Sequence, residues 1–115
     1  MAYEILGDDI GTLEASVDMS AVERIAVVVN STGKLAIAGA GVKPLGILGN
    51  SPKVGEAGLV YTSNVVISVA GATVTAGDEL EVGTDGKVIK KNTGIGFAVA
   101  LTSGTADKEI SIKLY

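Results

Sequence analysis

Short aliphatic runs bounded by glycine limit what this chain can become. Stretches such as Ile25-Ala-Val-Val-Val29 are too brief for a packed helix. They are rich in β-branched side chains, which fit a pleated strand. The 115 residues include 16 glycines and 2 prolines, so the elements between these punctuation points must be short. Many short strands joined by tight turns is the expected all-β organisation, and the length suits one domain.

The pattern of runs gives an order of strands. Ile25–Val29 meets the turn Asn30-Ser-Thr-Gly33 and is followed by Lys34–Ala38, Leu45–Leu48, Gly58–Thr62 and Asn64–Ala70. Ala72–Thr75 leads to Ala76-Gly-Asp78, then Glu79–Val82 with Leu80 and Val82 inward, the turn Thr84-Asp-Gly86, Lys87–Lys90 and Ile95–Leu101. In the last strand Ile110, Ile112 and Leu114 alternate with Glu109, Ser111 and Lys113, an apolar face against a wet one. Ser20-Ala-Val-Glu23 has capping-box spacing, which allows at most one short helix near 19–24 before the β-branched run. Residues 1–16 show no sustained period. They are read as an N-terminal arm, or alternatively as an edge strand over Tyr3–Leu6.

Residues 17–115 carry an internal echo. Val28-Val-Asn-Ser-Thr-Gly-Lys-Leu35 aligns without gaps on Glu81-Val-Gly-Thr-Asp-Gly-Lys-Val88, an offset of 53. Leu45–Leu48 matches Ile95–Ala98 at 50, and Gly58–Tyr61 matches Glu109–Ile112 at 51. Two pseudo-repeats, about 22–62 and 74–114, are expected. Neither half can bury its apolar face alone, so they are expected to pack on each other with pseudo-twofold symmetry in a compact β-barrel-like domain.

The missing residue types exclude chemistry. There is no cysteine and no histidine, hence no disulfide, no thiolate, no imidazole base and no sulfur or imidazole metal ligand. No catalytic, cofactor or metal residues are assigned, and no small-molecule substrate is expected. A net charge of −4 argues against nucleic acid, and no apolar run approaches the length of a membrane helix. The first residues lack a basic n-region and a long apolar stretch, so synthesis in a cytosol is expected and Asn30-Ser31-Thr32 is read as a chance sequon.

The remaining motifs have plain structural readings. Asp8-Asp9 lacks the further oxygens of a metal loop. Ala38-Gly-Ala-Gly41 and Gly94-Ile-Gly96 fit neither phosphate-loop pattern and read as turns or close strand approach. Lys87, Lys90 and Lys91 read as a solvated hairpin edge, with a docking spot for an acidic surface as the alternative. Val74-Thr-Ala-Gly-Asp-Glu-Leu80 is similar to a stretch of biotinyl and lipoyl carrier domains, but the modifiable lysine tip of those domains is missing.

Several segments, in order, carry a resemblance. They are Asp18-Met-Ser-Ala21, Gly33-Lys-Leu35, Ala38-Gly-Ala-Gly41, Pro44-Leu-Gly-Ile-Leu-Gly-Asn-Ser-Pro52, Gly55-Glu-Ala-Gly58, Val69-Ala-Gly71, Val74-Thr-Ala-Gly-Asp78, Asp85-Gly-Lys87 and Gly96-Phe-Ala-Val-Ala-Leu101. Together these resemble the small capsid decoration (cement) proteins of tailed phages, a head-stabilising family with a β-tulip-like fold. Thr102–Lys108 departs from that pattern where a Gly-Glu turn is expected. The resemblance implies a non-enzymatic protein on the outer surface of the virion capsid, made in the host cytoplasm. Its partners would be the major capsid protein and its own copies as a homotrimer. The capsid contacts expected are Tyr3, Glu4, Ile5, Leu6, Asp8, Asp9 and Ile10 in the arm. The alternatives are a self-assembling tail- or fibre-associated β module, and a non-catalytic carrier or ligand-binding β-barrel.

Overall fold

The computed structural model describes residues 9–115, with side chains from Leu13 onward. Ten strands run in chain order: β1 Asp9–Glu14, β2 Ala26–Val29, β3 Leu35–Ile37, β4 Gly46–Leu48, β5 Ala57–Tyr61, β6 Val65–Val69, β7 Glu79–Val82, β8 Val88–Lys90, β9 Ala98–Ala100 and β10 Glu109–Leu114. They form two five-stranded antiparallel sheets, ordered β1-β5-β4-β2-β3 and β6-β10-β9-β7-β8. The second order is the first with every strand moved on by five. The protein is therefore all-β and built from two like halves.

The likeness extends to single hydrogen bonds. Ala15 bridges Leu35 in parallel in the first half, as Ala70 bridges Val88 in the second. Each bridge pinches one end of its sheet, bringing the last residue after the first strand against the opposite edge strand. The rest of the sheet stays open, so neither half is a closed barrel. Ser16 N–H donates to Leu35 C=O, and Gly71 N–H to Val88 C=O, both at 2.8 Å. Met19 N–H donates to Pro52 C=O, and Val74 N–H to Gly104 C=O, again both at 2.8 Å.

Three expectations are corrected by this register. β2 pairs Ala26 with Ile47, and β7 pairs Glu79 with Val99, so Gly46-Ile-Leu48 corresponds to Ala98-Val-Ala100 rather than to Gly96-Phe-Ala98. Ile47 in turn pairs with Tyr61 and Val99 with Lys113, so Gly58–Tyr61 corresponds to Ile110–Lys113 rather than to Glu109–Ile112. The two glycines of the sequence echo have separate causes: a Cβ on Gly46 would strike Tyr61 C=O, and one on Gly96 would strike the Glu79 side chain. Nor is the packing of the halves a twofold. The tip of the β7–β8 hairpin, Gly86, sits against Ala26 of β2, whereas its counterpart Gly33 has nothing within 4 Å of a Cβ. The halves meet through different surfaces, a heterologous contact.

That contact decides where the core lies. Leu13, Ala15, Met19, Ile25, Val27, Leu35, Leu48 and Val60 fill the hollow of the first sheet. Its outer face, with Ala26 and Ile47 buried and Val28 and Tyr61 half-buried, belongs to the larger core of the second half, among Val66, Leu80, Phe97, Ile112 and Leu114. Counterparts of those outward positions in the second half are Glu79, Val99, Glu81 and Lys113. The first sheet is apolar on both faces because both are covered.

Near 19–24 there is a single turn and no helix. Asp18 Oδ1 accepts the Ser20 N–H at 2.9 Å, an Asx turn in place of a capping box, and Arg24 at φ 58° turns the chain into β2. The only helical element among the described residues is a 3₁₀ turn at Thr84–Gly86. Within it Asp85 (φ 60°) and Gly86 (φ 76°) form the type I′ connection of the β7–β8 hairpin. Ala72–Thr75 is not a strand; Val74 makes one isolated bridge to Gly104. Of the expected arm, residues 9–14 form β1, an edge strand with a bulge between Ile10 and Leu13. Residues 1–8, including the Tyr3–Leu6 alternative, lie outside the described residues.

Candidate functional site

Strand edges are where an all-β protein meets partners, and most of the edges here are guarded. β1 carries Asp9 and Glu14 and is bulged, β3 is three residues long, and β8 is three residues ending in Lys90. Each is a recognised way of discouraging strand addition. β6 has none of them. It reads Val-Val-Ile-Ser-Val, with no charge, no proline and no bulge.

Its register shows which backbone groups point outward. Leu114 N–H donates to Asn64 C=O, which makes Val66 and Ser68 the residues bonded to β10 and turns Val65, Ile67 and Val69 away from it. Val69 N–H is taken by Arg24 C=O at 2.9 Å, and the same carbonyl accepts the buried Ser68 hydroxyl at 2.9 Å. Among the described residues the N–H and C=O groups of Val65 and Ile67 have no partner. Their side chains are also unusually open for aliphatics, 56% and 42% exposed.

A groove runs beside this edge, lined by Arg24, Tyr61, Val65, Val66 and Ile67. Arg24 stands over the Tyr61 ring, its Cζ 5.7 Å from the centroid, within reach of a cation–π contact. Arg24 holds a left-handed backbone, while the equivalent position in the second half is Gly77 at φ 94°. A strained non-glycine residue beside an open edge marks a place where the side chain matters. The sequence reading places strands at Gly58–Thr62 and Asn64–Ala70 but singles out neither the β6 edge nor Arg24 and Tyr61 as functional. The clue was present as a strand without gatekeepers and an arginine where the repeat has glycine.

Of the expected capsid contacts, Asp9 and Ile10 lie on β1, opposite Tyr61 and Val60. Tyr3, Glu4, Ile5, Leu6 and Asp8 lie outside the described residues. The lysine cluster divides: Lys87 Nζ is bound to Asp107 at 2.6 Å, which holds the Asp107 carboxyl below its usual range and raises the Lys87 ammonium, while Lys90 and Lys91 are exposed. Glu81 is buried, with Oε1 accepting the Asn92 N–H and Oε2 against Gly94, so it pins a loop. No three Asp or Glu residues come together as a metal site among the described residues.

The fold is similar to that of a solved phage structure. That structure is the N-terminal base of head fibre gp8.5 from bacteriophage phi29, with a TM-score of 0.75 over 93% of this chain and 94% of that one. Identity is 16%, so the likeness is one of fold. No family model and no curated protein matches the sequence.

Proposed function

We propose that this is a structural protein of a phage virion that binds the outer surface of the assembled capsid and bridges major capsid subunits. The observation that carries the reading is the fold shared end to end with a phage head-fibre base. It agrees with the decoration-protein resemblance of the sequence, and with an architecture that offers an open strand edge rather than a reactive cluster. The mechanism is linkage. A protein that binds the closed lattice and not its separated subunits stabilises the lattice, and many copies act in parallel. Residues 3–10 would supply capsid contacts, and copies would meet as a homotrimer.

The test is co-sedimentation with undecorated shells, for the full chain and for a chain lacking residues 1–8. Saturable binding, weakened at least tenfold by the truncation, is expected. Failure of the full chain to bind shells overturns the reading, and equal occupancy overturns the role of the arm. A second reading, a fibre-associated module that assembles with itself, draws on the same neighbour, which is itself a fibre base. Large self-assemblies of the purified protein, without shells, would favour it.

A further inference from the structure

We propose that the open edge of β6 takes an extended segment of another protein as an added antiparallel strand, and that Arg24 selects a carboxylate at the middle of that segment. The segment reads aliphatic, acidic, aliphatic at the positions opposite Ile67, Val66 and Val65. The proposal concerns the chemistry of this edge and stands whether or not the capsid reading does.

The backbone sets the register. The outward N–H and C=O groups belong to Val65 and Ile67, and residues opposite these two in an antiparallel strand exchange both bonds with each. The next position is closed to a donor's partner, because Val69 N–H is already held by Arg24 C=O. The incoming residue between them stands opposite Val66 as a non-hydrogen-bonded pair, with the two side chains close together. Cross-strand partners share a face of the sheet, so each incoming side chain points where its opposite number points. Val65 and Ile67 point to the exposed face, and aliphatic side chains beside them cover that surface.

Charge lies on the other face. Val66 and Ser68 turn inward, the Ser68 hydroxyl donates to Arg24 C=O, and Tyr61 packs on the core cluster that contains Val66. Arg24 and Tyr61 therefore flank the Val66 side of β6, where they line the groove. Arg24 is the only arginine in the sequence, is half-buried, and stands over the Tyr61 ring, which restricts its guanidinium. The ion pairs among the described residues are Lys34–Glu14 and Lys87–Asp107, so Arg24 has no carboxylate partner among them. A planar guanidinium held against a ring suits a carboxylate arriving opposite Val66. A second copy of this chain fits the edge less well. The register that fills both outward pairs would centre on Val66, put valine where the carboxylate belongs, and bring two Arg24 side chains together.

The probe is the synthetic peptide acetyl-Ser-Thr-Val-Glu-Val-Thr-Ser-amide, added to the full-length, isotope-labelled protein and followed by amide chemical shifts. Saturable changes at Val65, Ile67 and Arg24 are expected. Replacing the peptide's glutamate by lysine should weaken binding about threefold or more, the scale of a partly exposed ion pair. Methylating the backbone nitrogens of both peptide valines removes the strand's donors without altering the protein, and should abolish binding. Arg24→Gln should lower affinity for the glutamate peptide to that for the lysine peptide. Equal affinity of the unaltered protein for both peptides, shifts away from β6, or no binding at millimolar peptide would each overturn the proposal. So would Val65 and Ile67 amides already protected from exchange before peptide is added, in a monomer or in a dimer that forms with rising concentration.

Discussion

At position 58 the first half has glycine, and its counterpart in the second half is Ile110. A Cβ on Gly58 would collide with Leu35 Cδ1 and come within 3.6 Å of Pro52. The corresponding neighbours of Ile110 are the smaller Val88 and Gly104, and a Cβ on Gly104 would strike Ile110 in turn. The two halves thus fill the same hollow with volume moved from one residue to its neighbours, as close-packed interiors require. Gly58→Ala should cost about 1–3 kcal/mol by overpacking. Adding Leu35→Val should recover much of that, because it removes the colliding methyl arrangement. Urea unfolding of both single variants and the double variant gives the coupling, and strictly additive costs would refute the exchange. A second residue-level expectation concerns Asp107, whose carboxyl is held low first by the hydrogen bond from Lys87 and then by its charge. A lowered folded pKa means the contact contributes above the unfolded value of about 3.9 and is lost as pH falls through the lower folded value. For Lys87 the sign reverses: its folded pKa is raised, so its share is present below the unfolded value of about 10.4 and fades as pH climbs through the higher folded one. NMR titration should find Asp107 below the ordinary range, returning toward it in Lys87→Met; no movement would mean the contact is absent in solution.

Hairpins offer a comparison with its own control. Gly33 and Gly86 hold equivalent places at φ 80° and 76°, so alanine pays a left-handed cost of about 1 kcal/mol at either. Only Gly86 adds a steric penalty, since its Cβ would lie 2.8 Å from the Ala26 carbonyl oxygen. Gly86→Ala should therefore be worse than Gly33→Ala by about 1 kcal/mol or more. Asparagine, which tolerates that backbone, should be nearly neutral at 33 and still costly at 86. Equal losses in thermal unfolding would show that the second hairpin does not press on β2. At this scale the sequence was readable where a strand alternates or a turn has fixed chemistry: Ile110, Ile112 and Leu114 are buried, and Asp85-Gly86 makes the tight hairpin. It was unreadable where a second layer intervenes. Alternation along β7 puts Glu81 outward, yet it is buried because the 92–94 loop folds over that face. The fourth strand of each half, β4 and β9, was misaligned because glycines answering to different neighbours happened to share a spacing. The open edge of β6 was hidden for a related reason: alternation showed two faces, but not that Ser68 would turn inward to Arg24 and leave Ile67 outside.

Duplicated halves raise the question of whether the molecule unfolds as one body or two. The first sheet is apolar on both faces, and its outer residues Ala26 and Ile47 are buried in a core they share with Leu80, Phe97 and Ile112. Separating the halves would expose these side chains, along with the Val69 N–H and Ser68 hydroxyl now held by Arg24. Burial of that kind stabilises by roughly 25 cal/mol per Å² of apolar surface, and it is lost together or not at all. The polar counterparts Glu79, Glu81 and Lys113 give the second half no matching apolar surface for a further unit, so the stack ends after two. One cooperative transition is therefore expected. Native-state hydrogen exchange measures this directly. Protected amides of β2 and β4 should open with the same free energy as those of β7 and β9, and Ile47→Ala should lower both sets by the same amount, about 2–5 kcal/mol. If Ile47→Ala loosens only the first sheet, the halves are independent folding units, and the shared core does not bind them into one.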